Sequence, residues 1–134
     1  MVRLMIVSHG PLAGAMLESA RMFFGDEVDR VSAVGLNPED APDTLQAAIV
    51  EEIERNDDGD GVLLFVDMFA GTPFNTAAVV IEELKESHRI VCLTGVNLPL
   101  LMEAMVDLSQ MSLDELAAKL EEKAPSTFIK YAPV

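Results

Sequence analysis

One cysteine, nine cationic side chains and no long hydrophobic run set the first limits on this sequence. Cys92 stands alone in the apolar run Ile90-Val91-Cys92-Leu93, so it cannot close an intramolecular disulfide or build a cysteine metal cluster. Its neighbours predict a buried, unreactive thiol. The nine Lys and Arg are set against 23 Asp and Glu, and the net charge of -14 repels nucleic acid and anionic membrane surfaces. A phosphorylated protein partner is not excluded by that charge, because an apolar patch can still dock it. The apolar stretch before Ser8 is shorter than a signal-peptide core and no segment approaches membrane-spanning length, so a cytoplasmic chain is expected. Neither a G-x-G-x-x-G fingerprint nor a G-x-x-x-x-G-K-[ST] loop occurs, which leaves a nucleotide- or flavin-binding reading without its motif.

Half of the residues are apolar, enough for a packed core, and 134 residues fit one domain, taken as 1–134. Short apolar runs alternate with helical patterns, which predicts an α/β fold: an open, mainly parallel sheet with helices on both faces. Strands are expected at Leu4 to Val7, near Arg30 to Leu36, at Gly61 to Val66 and at about Arg89 to Leu93. The first helix is placed at 11–24 from Leu12, Ala15, Met16, Ala20 and Phe23, with Gly25 as its C-terminal cap. A second helix buries Leu45, Ala48, Ile49 and Ile53, and a third begins at Pro73 and buries Phe74, Ala77, Ala78, Ile81 and Leu84. An apolar helix through Val106 and a short acidic helix at 112–123 follow. Thr127, Ile129 and Tyr131 alternate with Phe128 and Lys130, and Ser126 to Ala132 is read as a C-terminal edge strand. The cluster Asn56 to Gly61 is read as a solvated turn, because no later ligand completes a calcium spacing.

Two polar residues stand where an open parallel sheet keeps its ligands, beyond the carboxyl ends of the strands. His9 follows Leu4-Met5-Ile6-Val7-Ser8 and precedes Gly10-Pro11. Asp67 follows Val62 to Val66 and precedes Met68-Phe69-Ala70-Gly71-Thr72-Pro73-Phe74-Asn75, a glycine-containing loop that feeds a helix. A histidine, a carboxylate and a helix N-terminus then meet in one crevice.

With Gly95-Val96-Asn97-Leu98-Pro99 after the fourth strand, these motifs resemble those of the mannose-class (mannose/fructose/sorbose) enzyme IIA domains of the bacterial phosphoenolpyruvate-dependent sugar phosphotransferase system. The resemblance covers residues 2 to about 107, and the order and spacing of three linked motifs make it specific. It implies a phosphotransferase with a phosphohistidine intermediate, which accepts phosphate from HPr and passes it to a IIB domain serving a IIC/IID sugar permease. It also implies a homodimer in which the C-terminal strand pairs across subunits. No cofactor or metal is expected.

The residues suit that chemistry on their own terms. Imidazole is a good nucleophile at neutral pH, and its phosphoramidate can be formed and handed on reversibly. A carboxylate that accepts one ring N–H fixes the tautomer and frees the other nitrogen, so Asp67 is assigned to orient His9, with Nδ1–H facing it and Nε2 carrying phosphate. Backbone N–H groups around Gly71 and Thr72, the Thr72 hydroxyl and the helix dipole supply a phosphate site. Met68 and Phe69 are read as a docking patch beside it, Phe69 standing near the place where family members commonly carry a tryptophan. Leu12 and Met16 could extend the patch, although their spacing favours the core. Asn97 and Pro99 are expected to shape their loop, and His88 to cap a carbonyl or face water.

Two other functions remain compatible with the residues. A phosphotransfer subunit of a dihydroxyacetone kinase shares the His9 and Asp67 constellation, although its loop tends to differ from Gly-Thr-Pro-Phe-Asn. A regulatory binding protein that reports sugar supply is the other. A histidine phosphatase is disfavoured, because its motif puts arginine where this chain has Ser8.

Overall fold

Four β-branched and leucine-rich runs form one parallel sheet in the order β2-β1-β3-β4: β1 (Arg3–His9), β2 (Ser32–Leu36), β3 (Val62–Val66) and β4 (Ile90–Thr94). The structure, a computed structural model, describes residues 1–133. Parallel pairing requires a crossover after every strand. These are α1 (Leu12–Phe24), α2 (Pro42–Asn56) and α3 (Thr72–Leu84), while α4 (Leu98–Asp107) and α5 (Leu113–Lys123) follow β4.

Successive strand residues point to opposite faces. Leu4, Ile6, Leu63 and Phe65 pack under α1, α4 and α5, while Met5, Val7, Leu64 and Val66 pack under α2 and α3. Central strands buried on both faces read as unbroken apolar runs, and β3 is buried at every position. Within α2, Leu45, Ile49 and Ile53 are buried, the spacing expected of it. Gly25, at φ 58°, closes α1 as its cap. Pro73 takes the second helical position of α3, where its missing N–H again costs nothing.

Three expectations are corrected. The buried stripe of α1 is Ala13, Leu17 and Ala20, whereas Leu12 and Phe23 face solvent. Small residues at 13 and 20 let the helix lie close on the sheet, which turns its bulkier neighbours outward. In α3, Val80 is buried and Ala78 is exposed. No strand forms at Ser126 to Ala132: a 3-10 turn (Ala124–Thr127) is followed by chain in neither helix nor strand, with Phe128 93% and Tyr131 88% exposed. A strand needs a second backbone to bond, and this segment lies on neither edge of the sheet.

The 56–61 turn is less solvated than its composition implies. Asp57 is 3% exposed: its Oδ1 accepts the N–H groups of Gly59 and Gly61, and its Oδ2 lies 2.7 Å from His88 Nδ1. Burial works to raise the Asp57 carboxyl, but His88 and the two glycine N–H groups outweigh it and hold it below the ordinary carboxylate value. His88 thus ties the start of β4 to the end of α2, neither facing water nor capping a carbonyl.

Candidate functional site

Parallel register sets the ends of β1 and β3 side by side, Val7 opposite Val66, and the next residues carry the polar groups. The Asp67 N–H donates to Val7 C=O at 3.2 Å, which continues the pairing past β3. Asp67 Oδ2 then accepts the His9 backbone N–H at 2.9 Å and faces His9 Nδ1 at 2.8 Å. Its Oδ1 accepts the Met68 N–H at 2.9 Å. A carboxylate with this many donors is fixed in place, and at 9% exposure it is largely out of water, while His9 keeps 48% of its side chain accessible. Burial pushes the Asp67 carboxyl up, yet the His9 backbone N–H, the His9 ring and the Met68 N–H together hold it below the usual carboxylate range. It is therefore an anion at neutral pH.

With Nδ1 turned to Asp67, the other ring nitrogen faces Gly71. A Cβ placed on Gly71 would stand 3.4 Å from His9 Cε1 and 3.7 Å from His9 Nε2. Gly71 is also the residue before α3, at φ 99°, and Ala70 before it holds a left-handed φ of 61°. The loop so bent aims the start of α3 at the ring. Helix N–H groups in the first turn have no intrahelical acceptor, and α3 begins at the residue after Gly71. A crevice of about 340 Å³ is lined by His9, Gly10, the 36–42 loop and Thr72, with no Lys or Arg in its wall.

Met68 is 54% and Phe69 69% exposed, so they are not tucked into the core; the Phe69 ring meets Phe74 with centroids 4.8 Å apart. Leu12 is 46% exposed at the head of α1, while Met16 packs on the core. Asn97 shapes its loop as the cap of α4: its Oδ1 accepts the Leu100 N–H and its Nδ2 donates to Thr127 Oγ1. Cys92 is half-buried beside the open edge of β4, and burial pushes its thiol up to about 11, which keeps it protonated and unreactive. Among the described residues, no three His, Cys, Asp or Glu side chains cluster as a metal site, and no helix is long and apolar enough to cross a membrane.

Two residues escaped the sequence reading. Ser8 is fully buried, and its Oγ accepts the Ala13 N–H at 2.8 Å. Gly35 touches the loop that carries His9. A glycine inside a strand signals a close backbone approach, so this second residue had a legible mark.

Fold and site together define a doubly wound α/β protein whose ligand end holds a histidine–carboxylate dyad at the head of a glycine-led helix. Residues 3–121 match the family described as PTS system fructose IIA component, and the chain belongs to that family. It is 32% identical over 128 residues to the fructose-specific EIIA component of the phosphotransferase system of Bacillus subtilis (strain 168), which covers 96% of this chain and 85% of that protein. Over 118 residues it is 30% identical to the mannose-specific EIIAB component of Escherichia coli (strain K12), which covers 87% of this chain and 35% of that longer protein. The solved mannose/sorbose-specific IIA subunit from Enterococcus faecalis shares the fold with a TM-score of 0.85 at 27% identity, over 98% of this chain and 96% of that one. The chain is thus a IIA component of a sugar phosphotransferase system, and the comparisons lend no support to the dihydroxyacetone kinase or purely regulatory readings.

Proposed function

We propose that this chain, acting as one IIA domain in the cytoplasm, accepts a phosphoryl group from HPr on His9 Nε2 and passes it to a IIB domain of a sugar permease. The observation that carries the reading is the 2.8 Å contact of His9 Nδ1 with Asp67, which leaves Nε2 facing the Gly71–Thr72 loop. The lone pair of Nε2 attacks phosphorus while the bond from phosphorus to the HPr imidazole breaks, its electron pair returning to that nitrogen. His9 keeps the proton on Nδ1 throughout, so the phosphorylated ring carries a positive charge that the Asp67 carboxylate offsets. Transfer to the IIB domain is the same step in reverse sense. Gly71 and Thr72 are assigned to hold the phosphoryl oxygens. Which sugar is carried belongs to the permease.

Incubation with phosphoenolpyruvate, enzyme I and HPr, followed by intact mass and site mapping at neutral or alkaline pH, tests the proposal. One acid-labile phosphate on His9, dependent on HPr, is expected; a competent donor that leaves His9 bare sinks the carrier reading.

We assign Met68 and Phe69 to partner docking, since both are exposed in the loop that directly follows Asp67 and exposed apolar groups near a transfer site favour a protein surface. Phe69→Ala is expected to slow transfer from HPr about tenfold, the loss of about 1.4 kcal/mol typical of an interface aromatic, with the fold intact. Unchanged rates with HPr and IIB remove it from the surface. The homodimer reading is supported by the free outer edge of β4 and by the exposed Phe128, Ile129 and Tyr131 in a tail without a partner strand in its own chain. Sedimentation at micromolar concentration should give twice the chain mass; a monomer alone counts against it.

A further inference from the structure

The turn after His9 is held by contacts from residues outside the dyad. The Gly10 N–H donates to Leu36 C=O at 2.7 Å. Its carbonyl oxygen then lies over Gly35, where a Cβ would stand 2.1 Å away, far inside any contact that real Cβ atoms make. Ser8 Oγ approaches the same carbonyl at 3.4 Å while accepting the Ala13 N–H of α1 at 2.8 Å. Ser8 and Gly10 flank His9 in sequence, so whatever fixes them fixes the backbone from which the ring is hung. Gly35 has no positive φ to explain its identity, which leaves the close approach as its reason.

We infer that Gly35 and Ser8 are positioning residues for His9: the bare face of Gly35 admits the Gly10 carbonyl, the Ser8 hydroxyl anchors the turn to α1, and together they set the ring against Asp67. This rests on the carrier reading for its rate and on the dyad alone for its geometry. Gly35→Ala isolates the effect, because alanine suits a strand at least as well as glycine and adds one methyl. The Gly10 carbonyl must retreat, and a displacement of about 1 Å at a reacting group costs on the order of 100-fold in rate.

The experiment compares wild type with Gly35→Ala, Ser8→Ala and Ser8→Thr. Three quantities are read: the urea midpoint, the rate of phosphorylation by HPr, and the nitrogen NMR signals of the His9 ring. The expected result is a loss of about 100-fold for Gly35→Ala and at least tenfold for Ser8→Ala, with altered His9 ring signals in the folded protein. Ser8→Thr, which keeps the hydroxyl, should restore most of the rate. A variant with weakened stability but wild-type ring signals and a wild-type rate per folded molecule overturns the inference. If Gly35→Ala does not fold, the Ser8 pair decides it by the same readings. Should wild type itself accept no phosphate, the carrier reading fails, and the ring signals alone still uphold or overturn the positioning role.

Discussion

Asp67→Asn is expected to fold and to lose phosphorylation on His9 by about four orders of magnitude, the loss known in the serine-protease triad when the acid that orients the catalytic histidine is made an amide. The amide has the shape of the carboxylate but not its charge or its symmetry. In wild type one oxygen receives the His9 backbone N–H and faces Nδ1 while the other accepts from Met68. An asparagine can place its carbonyl on only one side, so either Met68 N–H or the two His9 donors face an amide NH2. In the second arrangement the ring is driven to the other tautomer, with its proton on the nitrogen that must attack. In the first the ring is held, but the positive charge of the phosphorylated ring has no counter-ion. Stopped-flow mixing with phosphorylated HPr gives the rate; an Asp67→Asn protein within tenfold of wild type would remove Asp67 from the mechanism.

The same variant has a pH signature. The folded Asp67 carboxyl lies below its ordinary value, so it releases its proton more readily in the native state than in the unfolded chain. Its contribution to stability is then complete above the unfolded value, about 4, and is lost as the pH falls through the lower folded one. The difference between wild type and Asp67→Asn in urea unfolding should narrow as the pH falls below about 4.

His9 and Asp67 were legible because both end apolar runs, and in a parallel sheet the ends of such runs collect at one edge. Nothing in the sequence said that β1 and β3 are neighbours, yet any doubly wound order brings strand ends to the same side. The phase of α1 was not legible: residues 12, 13, 16, 17, 20, 23 and 24 are all apolar or small, and two overlapping stripes fit the helical period. Close packing on the sheet selects the one with Ala13 and Ala20, a choice made by neighbours that no local pattern contains. The alternation after Ser126 was real, but a strand exists only with a partner, and the chain alone offers none. His88 found Asp57 across 31 residues of sequence, a pairing set by where α2 ends and β4 begins. Gly35 carried a mark in the sequence, a glycine in mid-strand, whose meaning depended on Gly10 lying above it.

Gly71→Ala separates the proposed phosphoryl site from the rest of the loop. Two costs are expected, and they fall on different observables. Alanine at φ 99° is strained by about 1 to 3 kcal/mol, which lowers the urea midpoint whatever the protein does. The added methyl, 3.4 Å from Cε1 and 3.7 Å from Nε2, makes ordinary contact with the free ring, so His9 and Asp67 stay paired. A phosphoryl group on Nε2 has no such room, since its oxygens must occupy the space the methyl has taken and must reach the N–H groups behind it. The rate should therefore fall on the order of 100-fold or more while the nitrogen signals of the unphosphorylated ring stay close to wild type. That pattern is the reverse of the one expected for Gly35→Ala, in which the ring signals move first. A Gly71→Ala protein that is merely less stable, and accepts phosphate at the wild-type rate, would remove Gly71 from the phosphoryl site.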